Sequence, residues 1–249
     1  MDRAERYWKH QAIADSYFSC SSSSPKHADE VEIFNSLETL GEHIVVDFGI
    51  GGGRELDWIN KLKNTTRIIG VDYSERTLTQ CQRLSVKSPK PLTLLVDDFR
   101  QMDSLTVLLD GDSSRKAFLF LANVFGNLEI CERLEVLKKT SSFMKQEDRL
   151  FLYLFKRSRT KGEMTAEAQY YQKYYSGLDQ VVIKELFGSE PSYYYDFEEN
   201  NVVTACNEGP VVFSHRWEES EIRSVVEQAG LKIEKIKEGN HAFVAIAKV

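Results

Sequence analysis

Residues 45–56 read VVDFGIGGGREL, an apolar strand that runs into a glycine-rich turn and then into a helical segment. The next strand, residues 67–72, reads RIIGVD and ends in an acid. Glycine allows positive φ angles and a close approach of the backbone to a ligand. An acid at the tip of the second strand is placed to accept hydrogen bonds from a ribose diol. This order of strand, glycine turn, helix, strand and acid predicts a cradle for a nucleotide-type cofactor.

Apolar strands and helical segments alternate around this stretch. Strands are expected at residues 44–48, 67–71, 92–96, 117–122 and 149–155, and helices at 27–40, 54–63, 75–86, 129–144 and 218–229. Ser74 is placed to cap the helix at 75–86. Near-continuous apolar strands between helices are typical of a parallel sheet that is covered on both faces, which makes this an α/β chain. Two final strands, 231–236 and 241–249, are expected to pair as a hairpin because Gly239-Asn240 is a turn signal between them.

The alternation breaks after Lys156, and the chain divides into three predicted parts. Residues 1–40 are expected to form a helical N-terminal lid, with the serine-rich run at 19–24 as its hinge. Residues 41–156 and 216–249 are expected to form the cofactor-binding sheet domain. Residues 157–215 hold a tyrosine-rich helical piece and several strand-like runs, and they are expected to form a small antiparallel and helical insertion that caps the substrate.

Bulk properties narrow the range of partners. The formal net charge is −6, so no general nucleic-acid footprint is expected. The four cysteines lie far apart without a CxxC or zinc-type spacing, which indicates free thiols in a reducing cytosol and predicts no metal site. The first residues, MDRAERYWKHQ, lack an apolar signal core, and no window approaches ~20 consecutive apolar residues. We therefore expect a cytoplasmic protein without a membrane span, and both a monomer and a dimer are compatible with the sequence.

The spacing of the glycines separates two classes of cofactor. Dinucleotide sites favour G-x-G-x-x-G, in which the last glycine lets the helix pack closely on the strand. Here the spacing is G-x-G-x-G, and Arg54 occupies the sixth position. The turn therefore argues against a dinucleotide and against an NAD-dependent oxidoreductase.

Four motifs resemble those of the class I S-adenosylmethionine (SAM)-dependent methyltransferases of the small-molecule type. They are Asp47-x-Gly49-x-Gly51-x-Gly53-Arg54, Val71-Asp72-Tyr73-Ser74, Leu95-Val96-Asp97-Asp98-Phe99 and Leu121-Ala122-Asn123-Val124-Phe125-Gly126-Asn127-Leu128. The terminal strand pair is similar to the reversed last strand of that fold. The resemblance implies a seven-stranded Rossmann-like sheet with helices on both faces, SAM as the methyl donor and S-adenosylhomocysteine as the product.

The resemblance also implies roles around the methionine and ribose parts of SAM. Asp47 would orient the glycine turn and receive the methionine amino group, directly or through water. Gly49 and Gly51 would line the methionine part, and Gly53 belongs to the same turn. Asp72 would hold the ribose hydroxyls.

Further matched residues would surround the adenine and the reacting end. Tyr73 would pack on the adenine, Asp98 would accept a hydrogen bond from the adenine amino group, and Phe99 would offer its backbone N–H or its ring. Asn123 would offer its side chain or its backbone carbonyl near the methionine amine. Tyr17 lies in a helix of the kind that closes over SAM in this family, and it is one of two candidate catalytic residues.

Plainer interpretations exist for three of these residues. Asp98 would cap the following turn if Asp97 were the true cofactor contact. Tyr73 would be a surface aromatic, and Asn123 an ordinary turn residue.

The predicted substrate contacts lie in and beside the insertion. Tyr170, Tyr174 and Tyr194 would form an aromatic cage for a cationic amine, whereas packing within the insertion is the commoner fate of clustered tyrosines. Arg157, near the expected pocket mouth, would bind a carboxylate. His215 is the second candidate catalytic residue, as a general base.

Together these patterns predict in-line transfer of a methyl group from SAM to a small polar metabolite, which would be an amine, an amino-acid-like compound or a carboxylate. One alternative is a protein or peptide side-chain methyltransferase, which an open groove would favour. The other is a non-catalytic SAM-binding partner protein. The intact Asp47, Gly49, Gly51, Gly53 and Asp72 argue against a degenerate methyltransferase, because a pseudoenzyme has no need of them.

Overall fold

The computed structural model describes residues 3–13, 29–85 and 88–249, without the side chains of Leu84, Ser85 and Tyr174. The strands of this part are β1 (His43–Phe48), β2 (Thr65–Asp72), β3 (Leu92–Val96), β4 (Lys116–Phe120), β5 (Arg149–Phe155), β6 (Ser192–Asp196), β7 (Asn201–Cys206), β8 (Gly209–His215), β9 (Lys232–Glu238) and β10 (Ala242–Lys248). The α-helices are α1 (Arg3–Trp8), α2 (Val31–Glu38), α3 (Leu56–Ile59), α4 (Glu75–Ser85), α5 (Asp103–Leu109), α6 (Ile130–Phe143), α7 (Lys161–Phe187) and α8 (Glu219–Gln228).

Seven strands form one sheet in the order β3-β2-β1-β4-β5-β10-β9. Strands β1 to β5 run parallel, and β10 pairs antiparallel with both β5 and β9. The predicted α/β class, the seven strands and the reversed last strand are confirmed. The chain direction along the sheet reverses at β1, which has β2 on one side and β4 on the other. A ligand is expected at the carboxyl ends of the strands beside this point.

The sheet is buried on both faces, which explains the near-continuous apolar strands. In β1, Val46 and Phe48 pack into one core with Phe118 and Phe120 of β4, while Val45 packs into the core on the opposite face. Every residue of β1, β4 and the inner part of β5 is buried. This rigid layer fixes the positions of the loops that follow each strand.

Two helices differ from the sequence-based expectation. The segment expected to be helical at 54–63 contains only the four residues of α3, because Gly53 has a φ of 82° and the turn delays the start of the helix. Helix α5 was not predicted, since its seven residues are too short for a clear apolar period. The serine-rich run and Tyr17 lie outside the described residues.

The insertion after β5 consists of the long helix α7 and the antiparallel sheet β6-β7-β8. A capping box starts α7, in which Thr160 Oγ1 accepts from Glu163 N (3.2 Å) and the Glu163 carboxylate accepts from Thr160 N (3.0 Å). The buried Arg216 ties α7 to the main sheet, because its guanidinium donates to Glu167 (2.7 Å) and lies 5.1 Å from the Phe155 ring centre. None of the helices in the described segments is long and apolar enough to cross a membrane.

Helix α1 is fastened to the insertion by a buried carboxylate. The hydroxyl of Tyr7 donates to one oxygen of Asp179 in α7, and the hydroxyl of Tyr193 in β6 donates to the other at 2.6 Å. Burial raises the pKa of Asp179, which is only 1% exposed, although both tyrosines favour its charged form. The three side chains hold α1 against the insertion.

We expect Tyr193→Phe to lower the free energy of unfolding by about 1.5–3 kcal/mol, because it removes a hydrogen bond to a buried carboxylate. The matched control is Tyr194→Phe, whose side chain is 42% exposed and should change stability by less than about 0.5 kcal/mol. Urea unfolding of the two variants measures the difference. Equal stability of the two variants would contradict a role for Asp179 in fastening α1.

Candidate active site

A cavity of about 880 Å³ lies at the carboxyl ends of the parallel strands. Its floor comes from the loops after β1, β2, β3 and β4. Helix α1 and the sheet of the insertion cover two sides, and the start of α6 forms a third. Among the residues of its wall are Gly51, Asp72, Asp98, Trp8, Arg133 and Asn201.

Of the four glycines of the turn, Gly49, Gly51 and Gly53 lie in the left-handed region of backbone conformation. Their φ angles are 73° for Gly49, 56° for Gly51 and 82° for Gly53. A Cβ on Gly49 would lie 2.9 Å from Val124, and one on Gly53 would lie 2.8 Å from Cys81 Sγ, so packing requires both glycines. A Cβ on Gly51 would meet nothing closer than 3.8 Å, and it would project at the cavity wall. Gly51 is therefore the position at which a side chain would occupy ligand space.

We expect Gly51→Ala to weaken SAM binding at least about tenfold, because the added methyl group narrows the cavity beside the turn. Gly111→Ala is the matched control. Gly111 has a φ of 72° and open space around its Cβ position, so alanine costs a similar ~1–2 kcal/mol of backbone strain there. Calorimetric titration of both variants with SAM tests the difference. Similar affinity in the two variants would mean that only backbone strain matters at Gly51.

Asp72 ends β2 and organises the turn after β1. Its Oδ2 accepts a hydrogen bond from Gly51 N at 3.1 Å, and its Oδ1 accepts from Ser74 N at 2.8 Å. The residue is 9% exposed and lies in the cavity wall. Burial raises the pKa of Asp72 to about 6, while the two backbone N–H groups oppose the shift. The predicted cap is also present, since Ser74 Oγ accepts from Thr77 N at 3.4 Å.

We expect the affinity for S-adenosylhomocysteine to fall about tenfold per pH unit below pH 6, because only ionised Asp72 accepts two hydroxyl hydrogen bonds and its pKa is about 6. Above pH 6 the affinity should level off. Asp72→Asn should remove this slope and leave whatever pH dependence comes from Asp47 and Glu55, whose pKa values burial also raises. Calorimetry between pH 5 and pH 8 would contradict the expectation if both proteins gave the same slope.

The acids after β3 point in different directions. Asp98 lies in the cavity wall and forms an ion pair with Arg100 (2.7 Å). Asp97 Oδ2 accepts from Leu105 N at 3.1 Å and so stabilises the first turn of α5. Asp98 Oδ1 also accepts from Arg100 N at 2.9 Å, so Asp98 caps the following turn and lies in the cavity wall at the same time. The ring of Phe99 lies beside it and packs edge-on against Phe120 in the core.

Below the glycine turn, the buried carboxylates of Asp47, Glu55 and Glu30 surround a single guanidinium, that of Arg54. Asp47 and Glu55 are 1% and 7% exposed, and Arg54 pairs with Glu55 and with Glu30 (2.9 Å). Burial raises the pKa of Asp47 well above its usual value, and the Glu55 carboxylate raises it further. Asp47 Oδ2 is buried without a hydrogen-bond partner. With Asp72 close by, this corner of the site favours a positively charged ligand group.

Asn123 does not line the cavity, which corrects the expectation that it offers polar atoms to the cofactor. Its side chain is fully buried and links three strands: Oδ1 accepts from Phe155 N (2.9 Å), and Nδ2 donates to Ser214 Oγ (3.0 Å) and His215 O (3.3 Å). Its own carbonyl accepts from Gly126 N at 2.8 Å. Asn123 therefore shapes the loop whose neighbours, Ala122 and Val124, form part of the wall.

Most predicted substrate contacts also lie elsewhere. Tyr194 is exposed on the insertion, and Tyr170 contacts Tyr171 on α7; neither lines the main cavity. Arg157 pairs with Glu218 (2.6 Å) and lines a separate cleft of about 270 Å³. The Tyr174 side chain is outside the description. The two described tyrosines of the predicted cage therefore do not line the main cavity, and Arg157 lies in the separate cleft.

His215 is a buried structural group in this geometry. Its Nε2 lies 2.8 Å from Glu221 Oε1, and its Nδ1 lies 2.9 Å from the Asn201 side chain. Burial lowers its pKa, and its ring packs edge-on against Trp217 at 4.7 Å. Because it is not in the cavity wall, His215 is not placed to take a proton from a ligand.

Other wall residues had no predicted role. Trp8 of α1 lines the cavity, and so does Tyr73, which was expected there and has Lys9 Nζ 5.5 Å from its ring centre. Glu55 also lines the cavity, and its place directly after the glycine motif is the one sequence signal that could have indicated this. Arg133 and Asn201 carry no sequence motif, and only the packing of α6 and the insertion brings them to the wall.

Comparisons with known proteins agree with this geometry. Residues 26–170, more than half of the 249, match the sequence family described as "Histidine-specific methyltransferase, SAM-dependent". The chain belongs to this family. It is a SAM-dependent methyltransferase, as the motifs predict. The curated proteins compared contain no match.

Solved structures share the fold at low sequence identity. The CcbJ methyltransferase from Streptomyces caelestis is 13% identical with a TM-score of 0.64, and the alignment covers 100% of this chain and 99% of that one. A SAM-dependent methyltransferase from Anabaena variabilis is also 13% identical with a TM-score of 0.64, covering 100% and 95%. The 1,6-didemethyltoxoflavin-N1-methyltransferase of Burkholderia thailandensis is 11% identical with a TM-score of 0.58, covering 95% and 86%.

The residues of the methyltransferase fit its methyl donor. SAM carries an ammonium group and a sulfonium, and the buried carboxylates beneath the glycine turn suit such a cation. The unpartnered Oδ2 of Asp47 and the open space at Gly51 are the features that a bound methionine part would complete. In the described segments, no group of three His, Cys, Asp or Glu side chains is arranged to hold a metal ion.

Proposed function

We propose that this methyltransferase methylates a small polar metabolite, and that the substrate is an amino-acid-like compound with an amine or other basic nitrogen. The single observation that carries the proposal is the cavity of about 880 Å³, which is covered by α1 and by the insertion. A protein side chain would need an open groove to reach the floor of the site. The family description names histidine, and we therefore take histidine as the first candidate to test.

We assign cofactor roles to the residues that face this cavity. Asp72 would accept from the ribose hydroxyls while its other contacts hold the glycine turn. Asp98 would accept from the adenine amino group, with Tyr73 and Phe99 against the ring. Gly49 and Gly51 would lie against the methionine part, and Asp47 would reach its ammonium through water, because Asp47 itself is not in the wall.

When bound, SAM supplies a methyl group that is already activated by the sulfonium. The protein then has to align the acceptor, remove water and hold a proton away from the acceptor nitrogen. Three aromatic residues of the wall, Trp8, Phe99 and Phe213, would exclude water from the reacting groups. We propose that residues 1–40 act as a lid and residues 157–215 as a cap, with the Asp179 contacts keeping α1 in its closed position.

A product assay tests the proposed substrate class. The purified protein is incubated with SAM and, separately, with L-histidine, other L-amino acids, their decarboxylated amines and an arginine- and lysine-containing peptide, and methylated products are detected by mass spectrometry. We expect product from at least one free amino-acid-like compound and none from the peptide. Product from the peptide alone would favour the side-chain methyltransferase. Binding of S-adenosylhomocysteine without any product would favour the non-catalytic partner.

A further inference from the structure

Arg133 is a buried arginine in the cavity wall with an unsatisfied donor. It lies in the first turn of α6 and is 2% exposed, yet it forms part of the wall. Its Nε donates to Leu128 O at 3.1 Å, while Nη2 is buried without a hydrogen-bond partner. A buried guanidinium without a full set of acceptors is costly, so an acceptor from a ligand is expected here.

No carboxylate of the described chain neutralises Arg133 by a hydrogen bond. The closest acid, Glu221, lies 3.7 Å from Nη1, and its Oε1 is already held by His215 at 2.8 Å. The guanidinium instead lies 4.9 Å from the ring centre of Trp217, which fixes its plane without supplying an anion. Burial lowers the pKa of Arg133 to about 10, and the charges of Glu221 and Glu199 offset this effect only in part.

Arg133 differs in this respect from the other arginines of the wall. Those three are engaged by protein acceptors: Arg3 donates to the carbonyls of Glu208 and Pro210, Arg54 pairs with Glu30 and Glu55, and Arg100 pairs with Asp98 and Glu132. The available guanidinium is therefore the one on α6, beside the insertion. The glycine turn, where the methionine part of SAM would lie, is formed by a different strand loop.

Asn201 supplies a second polar atom on this side of the wall. Its Oδ1 lies 2.9 Å from Nδ1 of the buried His215, whose Nε2 lies 2.8 Å from Glu221 Oε1. The contact with His215 leaves the Asn201 amide nitrogen as the side-chain atom that could donate to a ligand acceptor.

We propose that Arg133 binds the carboxylate of the methyl acceptor, so that the substrate is a carboxylate-bearing small molecule. The inference rests on the proposed function and adds the group that selects the substrate. The planar guanidinium offers paired donors that match a carboxylate. A decarboxylated amine would leave Nη2 unpaired in the complex.

The test compares Arg133→Met with Arg223→Met, which removes an exposed arginine of α8 that pairs with Glu219. Calorimetry first measures S-adenosylhomocysteine binding to both variants and to the unchanged protein. We expect equal affinities, which also shows that Arg133→Met is folded. Arg133→Lys serves as a second variant that keeps the charge but loses the paired donors.

The second step titrates the proteins loaded with S-adenosylhomocysteine with L-amino acids, including L-histidine, and with the matching amines, including histamine. We expect at least one amino acid to bind the unchanged protein and Arg223→Met roughly 30-fold or more tightly than its amine, and Arg133→Met to lose that preference. The preference of Arg133→Lys for the amino acid over its amine should lie between those of the unchanged protein and Arg133→Met.

Three results would overturn the proposal. One is that Arg133→Met keeps the preference, and another is that no carboxylate-bearing compound binds the loaded protein. The third is that Arg133→Met loses S-adenosylhomocysteine itself while Arg133→Lys retains it, which would assign Arg133 to the methionine carboxylate of the donor. Failure of the unchanged protein to bind S-adenosylhomocysteine would instead contradict the proposed function.

Discussion

Asp72→Ala is expected to weaken SAM binding by at least about 100-fold. The substitution removes the proposed acceptor for the ribose hydroxyls, and hydrogen bonds to a charged group contribute about 1.5–3 kcal/mol each. It also leaves Gly51 N and Ser74 N without their side-chain acceptor, so the glycine turn loses the contact that holds it against β2. Both effects weaken the binding of SAM. We therefore expect Asp72→Ala to cause a larger loss of SAM affinity than any other single side-chain substitution.

Asp97→Ala is the matched control for this prediction. Asp97 is also an acid at the end of a parallel strand, and it also accepts from a backbone N–H, that of Leu105 at 3.1 Å. It does not line the cavity. Calorimetric titration with SAM and S-adenosylhomocysteine should therefore separate the two variants. Comparable losses of affinity in both would show that Asp72 acts only through general loop stability.

Asn123→Ala is expected to lower the free energy of unfolding by roughly 3–5 kcal/mol and to abolish turnover. Its amide satisfies three groups on β5 and β8, and buried groups left without partners cost about 1–3 kcal/mol each. Asn123 also has a φ of 61°, in a region that asparagine tolerates better than alanine. Urea unfolding and a product assay measure the two effects.

Asn200→Ala is the control, because it makes the same substitution at nearly the same backbone conformation. Asn200 has a φ of 54°, and its buried Oδ1 has no hydrogen-bond partner. The stability lost in Asn200→Ala should therefore reflect only the backbone preference of asparagine over alanine, which is about 1 kcal/mol. If Asn123→Ala were no more destabilising than Asn200→Ala, the links between β4, β5 and β8 would not stabilise the fold.

The agreement between sequence and structure is best where the signal is local. Strand β5 and the cap at Ser74 follow the predicted positions, and the terminal hairpin pairs as the turn at Gly239-Asn240 indicates. Each of these depends on side-chain period or turn chemistry within a few residues. Gly51 and Asp72 belong to the same class, because both sit where a buried strand ends.

The failures share a different cause. Residue type and the order of segments assigned Tyr194, Arg157 and His215 to the substrate site. In the structure Tyr194 is exposed on the insertion, Arg157 lines a separate cleft, and His215 is buried against Glu221. Their orientation depends on how β6-β7-β8 docks on the main sheet. That docking is set by contacts between residues far apart in the sequence, such as Arg216 with Glu167.

The sequence by itself determined the α/β class, the glycine turn and the acid that ends β2, because backbone conformation and apolar period are encoded within short segments. It thereby determined the use of SAM. Only the tertiary structure decided which charged side chains face the cavity: it satisfied Arg54 and Arg100 with protein carboxylates and left Arg133 Nη2 unpaired. The physical reason is that ion pairing and burial are properties of the packed molecule, in which Arg133 and Asn201, 68 residues apart in sequence, line the same cavity.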